Sequence, residues 1–414
     1  MPPDVTTNGS EIISSQGIFK RDVASAVLFV GTMHGLSLLF GFIAYKNLGA
    51  SELWVGVIAS AGYCGYFWNF FLNRLTARLS LRRGIVVMMA TSALLLSAAA
   101  WQDTAGPYCL LVMVVLLMLG LYEVQYGTLV RHLYDQDSRP RLLSRRHLAI
   151  AVATAGFALG FGAMCEASGQ HLPAFLVAAV IMGGAAAVFH GIPMRAEHHM
   201  EPFHPWDVVR TALGDPRFRR VVIILTLYGW VGAGSQPILT VLYKRLEFGE
   251  AQVGQLVAIG TVGTLLGLLL ITPRLRFAGG ISNYRLCFGA SSVAMLVYGA
   301  VAFNDPGPWS FAMMGIGAFV FGISLAGFSL AMQTTGINLA PPGKTTLYVN
   351  ALMIVLGVRG MVMPLLSAKV VGTWDIRTAL TVSIVVACVC AGAVLMPGID
   401  GRAVRATADD PQRP

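Results

Sequence analysis

Twelve largely apolar stretches, each long enough to cross a bilayer as a helix, succeed one another from Val23–Ala44 to Ala379–Met396. A helical crossing takes roughly 20 such residues, because the hydrocarbon core is about 30 Å thick and each residue rises about 1.5 Å. Inside that core the backbone must satisfy its own N–H and C=O groups, and a continuous apolar run does so as a helix. Composition agrees, since 56% of residues are hydrophobic and 12% charged, with a mean hydropathy of +0.68. A soluble domain needs more charge than that on its surface. The expected fold class is an all-α membrane protein with twelve transmembrane helices.

Six spans lie on each side of a polar segment, Met194–Arg220, and the two sides repeat each other. Tyr45-Lys46, then Glu52 to Gly56, then Gly62, answer to Tyr243-Lys244, then Glu250 to Gly254, then Gly260, each 198 residues on. Two repeats of several spans are how membrane transporters with a site between two bundles are built. The expected division is a tail at 1–20, a six-helix bundle at 21–195, a linker at 196–220, a second bundle at 221–396 and a tail at 397–414. With an even number of spans per repeat the repeats are parallel, so Tyr45-Lys46 and Tyr243-Lys244 should end their helices at one face of the membrane.

The net charge of +9 reflects topology. Of 29 lysines and arginines, 23 fall in the terminal tails, the central segment and the loops on that same side, among them Arg139, Arg141, Arg145 and Arg146. Five fall on the other side, and Arg359 lies within a span. Positive loops face the cytoplasm, which puts both termini there. No basic stripe with interleaved aromatics suggests nucleic acid. Residues Met1–Gly17 lack the basic and then apolar run of a signal peptide and read as a cytoplasmic tail. The six cysteines sit inside apolar spans without metal-ligand spacing. His198, His199 and His204 with Glu197 and Glu201 make only a weak metal candidate in a proline-broken loop, so no metal is expected. No Walker lysine follows a glycine loop, which excludes ATP hydrolysis on this chain and leaves no cofactor to expect.

With twelve spans, inside termini, a cytoplasmic linker and a half-chain repeat, the chain resembles the major facilitator superfamily of secondary transporters from about Phe19 to Met396. That family carries an acidic residue and basic residues in the turn after its second span. Here the turn runs Asn73-Arg74-Leu75-Thr76-Ala77-Arg78-Leu79-Ser80-Leu81-Arg82-Arg83-Gly84. The Arg82–Arg83 pair is present, while neutral Asn73 or basic Arg78 stands where the acid belongs. The resemblance implies a gating role for Arg82, Arg83 and Asn73; the alternative for the arginines is contact with anionic lipid.

Function must come from polar groups within the spans, where burial is costly unless they are paired or wetted. Arg359, in Gly357-Val358-Arg359-Gly360, lies about 16 Å into its span at 1.5 Å per residue. It either receives a solute anion in a space its glycines open, or acts as a structural clamp that holds helix carbonyls or pairs permanently with a neighbouring acid. Glu123 lies in the inner half of the fourth span and is read as sharing a face with Tyr126, with Tyr122 completing a polar aromatic strip. As a coupling group it would take up a proton on one side and release it on the other; otherwise it is a fixed partner of Arg131, Arg359 or a neighbouring helix. His34 stands mid-span among small residues, as proton carrier or packing residue. In the seventh span Gln236-Pro237 frees a carbonyl and sets an amide beside the break, a candidate solute contact.

These residues point to a secondary active transporter moving a small solute by alternating access, coupled to a proton or another ion. Arg359 leans the solute towards an anion or zwitterion. The expected setting is a lipid bilayer, in a cell (inner) membrane, with the chain acting as a monomer and not as an enzyme. The rival class is a receptor or assembly factor that keeps the fold without transporting.

Overall fold

The protein is described by a computed structural model over residues 9–76, 80–134, 138–192, 206, 210, 213–275, 280–340 and 345–395. Within them run twelve long helices. Helix α1 joins Gly9–Ala26, a π-helical turn Val27–Gly31, and Thr32–Lys46. Then come α2 (Glu52–Thr76), α3 (Leu81–Ala100), α4 (Ala105–Leu133), α5 (Arg139–Ser168) and α6 (Leu172–His190). The second half begins with α7, made of Pro216–Gly232 and Ser235–Arg245. It continues through α8 (Glu250–Leu275), α9 (Gly280–Phe303), α10 (Ser310–Leu339), α11 (Thr345–Thr373) and α12 (Ile376–Leu395). Among the described residues, eleven are apolar and long enough to span a membrane. In α2 Gly62, Tyr63, Gly65, Tyr66 and Asn69 occupy the middle of the helix, where Gly65 and Tyr66 meet α4 and Tyr63 meets α11. Helix α1 already begins at Gly9, within the segment expected as the tail of 1–20.

In the first half α3 packs on α4 and α6, α2 on α4, and α1 on α5; in the second, α10 packs on α8 and α9, and α9 on α12. Two long seams join the halves, α2 along α11 and α5 along α8. A shift of six helices exchanges the two seams, as the repeat requires. Both rely on bare backbone. A Cβ at Gly360 would sit 2.1 Å from the Tyr63 ring, and one at Gly254 2.3 Å from the Ala158 carbonyl. Tyr63 and Phe67 therefore fill the space beside Gly360 and Gly357, and the room for a ligand expected there is taken up by helix packing.

The repeat also fixes helix ends. Arg82 on α3 donates to the His190 carbonyl at the last turn of α6, and Arg285 on α9 donates to the Val394 carbonyl at the end of α12 over 3.4 Å. Cations there meet the negative end of the helix dipole. Arg82 is thus held within its own half, Arg83 is exposed, and the side chain of Asn73 lies outside the described residues, as do residues 197–204 with their histidines.

At the end of the bundle opposite the start of α1, here called distal, the halves are tied crosswise. Lys46 Nζ lies 3.5 Å from Glu250 Oε1 and donates to the Phe248 carbonyl over 3.1 Å. Asn47 donates to Glu250 over 3.0 Å. Lys244 donates to the Tyr45 carbonyl over 3.1 Å and covers the Tyr45 ring. Both Tyr-Lys pairs thus meet at one face, as parallel repeats demand. Glu166, near the end of α5, accepts the N–H of Ala251 in the first turn of α8 over 2.9 Å, a carboxylate at the positive end of a helix.

Candidate solute and coupling site

At mid-depth in the first half three helices bring polar side chains together. His34 of α1 puts Nε2 3.6 Å from Glu123 Oε1 of α4, and Tyr66 of α2 donates to the other Glu123 oxygen. The His34 side chain is 45% exposed and that of Glu123 29%, so solvent reaches both. Exposure continues proximally at Gly127 on α4 and His147 on α5, while the distal end is tied shut. A carboxylate with an imidazole on one side and a phenol on the other, in an accessible but otherwise apolar interior, can share a proton and offer hydrogen bonds to a solute.

Gln236 connects this group to the second half. Its side-chain amide donates to the Ser37 carbonyl over 3.2 Å, and Ser37 donates to the His34 carbonyl over 2.8 Å. The carbonyl that Pro237 frees belongs to Ala233 and accepts the Gln236 N–H at 3.4 Å. The break in α7 falls one turn before the Gln-Pro pair, at Ala233-Gly234.

Tyr122 and Tyr126 belong elsewhere. They stack with centroids 5.7 Å apart, are buried, and point to Asp22 and Arg146, not to the Glu123 face. Asp22 Oδ2 accepts from Tyr126 over 2.7 Å and Tyr134 over 2.5 Å, and lies 3.4 Å from Arg146 Nε. Arg146 donates to Tyr122 over 2.9 Å and stacks 3.8 Å above the Tyr126 ring. Sequence reasoning left Asp22 just outside the first span and counted Arg146 among loop arginines. Tyr134 lies just past the span of α4; burial first, then Asp22, holds its phenol far above the usual range, so it remains a donor at working pH.

Arg359 is 5% exposed. Its Nη1 donates to the Leu225 carbonyl of α7 over 2.5 Å, and its guanidinium lies 4.8 Å from the Phe328 ring of α10. The groove beside it, about 200 Å³, is lined by Phe218, Ala351, Ile354, Val355 and Val358, with Thr226 as its polar member besides Arg359. Such a lining suits hydrocarbon, and the geometry favours the carbonyl clamp over an anion receptor. Arg359→Ala is accordingly expected to lower stability in detergent, without added solute, by about 2 kcal/mol through the lost charged hydrogen bond and packing. Wild-type unfolding midpoints for that variant would contradict the clamp. Nearby, Tyr228 bonds to Ser291 over 2.7 Å and Ser324 over 2.9 Å in a neutral buried network.

Comparison with known proteins accords with this architecture. The chain aligns over 92% of its length with 99% of a point mutant of the nucleoside transporter NupG, with a TM-score of 0.75 and 14% identity. A POT family transporter in complex with a thioalcohol-conjugated peptide aligns with 92% of this chain and 94% of its own, with a TM-score of 0.73 and 11% identity. Tetrameric PepTSo2 covers 95% of this chain and 99% of its own at a TM-score of 0.66 and 13% identity. No curated protein matches the sequence. Identities this low establish the fold alone. The Major Facilitator Superfamily family model matches residues 23–358, and the chain, an integral multi-pass membrane protein with that fold, belongs to the Major Facilitator Superfamily.

Proposed function

We propose that the protein is a proton-coupled secondary active transporter of a small polar solute, with Glu123 and His34 as the proton-sharing pair and Tyr66 and Gln236 beside them as solute contacts. A single observation supports this: two titratable groups 3.6 Å apart are open to solvent at mid-depth while the distal end is tied across the halves. In a pump that works by alternating access, a proton bound here from one side is released when the site faces the other. The positive loops at the proximal end support reading that end as cytoplasmic, and with it an inward-facing form with cytoplasmic termini; the setting proposed is a cell (inner) membrane. One chain forms the whole site, consistent with a working monomer.

The solute class follows from what is left to bind it. Among the described residues, the two buried arginines of the bundle interiors are committed, Arg146 to Asp22 and Tyr122 and Arg359 to Leu225. Glu123 is an acceptor, so a neutral or cationic solute with hydroxyl or amine donors fits better than the anion suggested by Arg359 in the sequence.

Proteoliposomes with an imposed pH gradient test the function, using nucleosides and short peptides as first probes because the structural neighbours handle them. At least one probe should accumulate up to about tenfold per pH unit for one proton per solute, each unit being worth about 1.4 kcal/mol, and collapse with a protonophore. Background flux across the panel from folded protein would favour the receptor or assembly-factor alternative.

A further inference from the structure

The Asp22–Arg146 cluster is closed off from solvent: Asp22 is 0% and Arg146 4% exposed, so neither can meet a solute. Yet its members alternate along the chain with the groups that can. Tyr122 is the neighbour of Glu123, Arg146 of His147, and Asp22 stands on the same helix as His34. On α4 and α5 one residue turns into the cluster and the next lies on the wetted side.

We infer that this cluster positions Glu123 against His34, an inference that rests on the proposed role of that pair. Asp22 belongs to α1, Tyr122, Tyr126 and the adjoining Tyr134 to α4, and Arg146 to α5. Four contacts of 3.4 Å or less therefore lock three helices at one level. Helical backbone is stiff, so fixing α4 at Tyr122 fixes Glu123, and fixing α1 at Asp22 fixes the depth of His34. The π turn Val27–Gly31 lies between Asp22 and His34 and sets the rotation between their faces; such turns are frequent at functional sites. Phe29 within it packs edge-on against Tyr122, centroids 5.0 Å apart, joining the turn to the cluster. Asp22, Tyr122 and Arg146 are thus positioning residues.

Tyr122→Phe isolates the effect. It removes the oxygen that accepts from Arg146 and keeps the ring contacts with Phe29 and Tyr126. The readout is the dipolar coupling between ¹⁵N-imidazole and ¹³C-carboxylate in histidine- and glutamate-labelled protein in lipid vesicles, with His34→Gln as the blank. The expected result is a clear His34–Glu123 signal in the wild type and loss of half or more of it in Tyr122→Phe. The unfolding midpoint should stay within about 2 °C, since one hydroxyl contact is removed without a cavity. If Tyr122→Phe does not fold, Asp22→Asn carries the same expectation, as it breaks the ion pair and keeps an acceptor for the tyrosines. A wild-type signal in the folded variant would overturn the positioning role and leave the coupling pair standing. Absence of the signal in the wild type would remove the pair, and this inference with it.

Discussion

Glu123→Gln is expected to abolish uphill accumulation while leaving solute exchange near its wild-type rate. The amide has the shape of the protonated acid and can still accept from Tyr66, so a site that only binds solute should tolerate it. A site that must gain and lose a proton on each cycle cannot. With one proton per solute, the gradient-driven accumulation of about tenfold per pH unit should fall to equality across the membrane. Uptake into proteoliposomes under a pH gradient, set beside counterflow of the same labelled solute without one, separates the two. Accumulation that survives the substitution would take Glu123 out of the coupling step.

Asp22→Ala should produce the largest loss of stability of any single change in the first half. It leaves Arg146 buried without its carboxylate and strands the hydroxyls of Tyr126 and Tyr134, which donate to the same oxygen. Removing one partner of a buried ion pair costs about 3–5 kcal/mol, whereas replacing both by apolar groups is often close to neutral. The double variant Asp22→Ala, Arg146→Met is therefore expected to recover most of what Asp22→Ala loses. Unfolding midpoints in detergent decide it, and a single variant as stable as the wild type would show that the cluster contributes little.

Much of the fold was legible because its signals are local. Runs of apolar residues report span length without any knowledge of neighbours, and the 198-residue correspondence of the two Tyr-Lys pairs placed them at one face, where Lys46 and Lys244 do meet. The second span, Trp54 to Phe71, was likewise found as an apolar run. The proposed site was legible one residue at a time: Glu123, His34 and Gln236 stood out as polar groups in apolar runs. Their partners did not, because pairing is tertiary. Nothing near Glu123 in the chain points to Tyr66, and i+3 spacing to Tyr126 suggested a shared strip where the helix turns the two towards different neighbours. Charges at the ends of spans were misassigned for a related reason. Loop counting treats an arginine beside a span as topological, so Arg146 was set among cytoplasmic residues although the helix carries it inward to Asp22. Arg359 was correctly seen as an expensive charge; what offsets it, a carbonyl on the distant α7 and an aromatic face on α10, has no signature in sequence.

The Asp22–Arg146 pair also bears on how the protein is made. Helices enter the membrane in chain order, so Asp22 arrives with α1 while its counter-charge waits for α5. During that interval the carboxylate lacks the guanidinium that accompanies it in the folded first half. Docking of α5 beside α1 then supplies the guanidinium. The cluster that joins the first, fourth and fifth helices is therefore complete only when the fifth has joined the first.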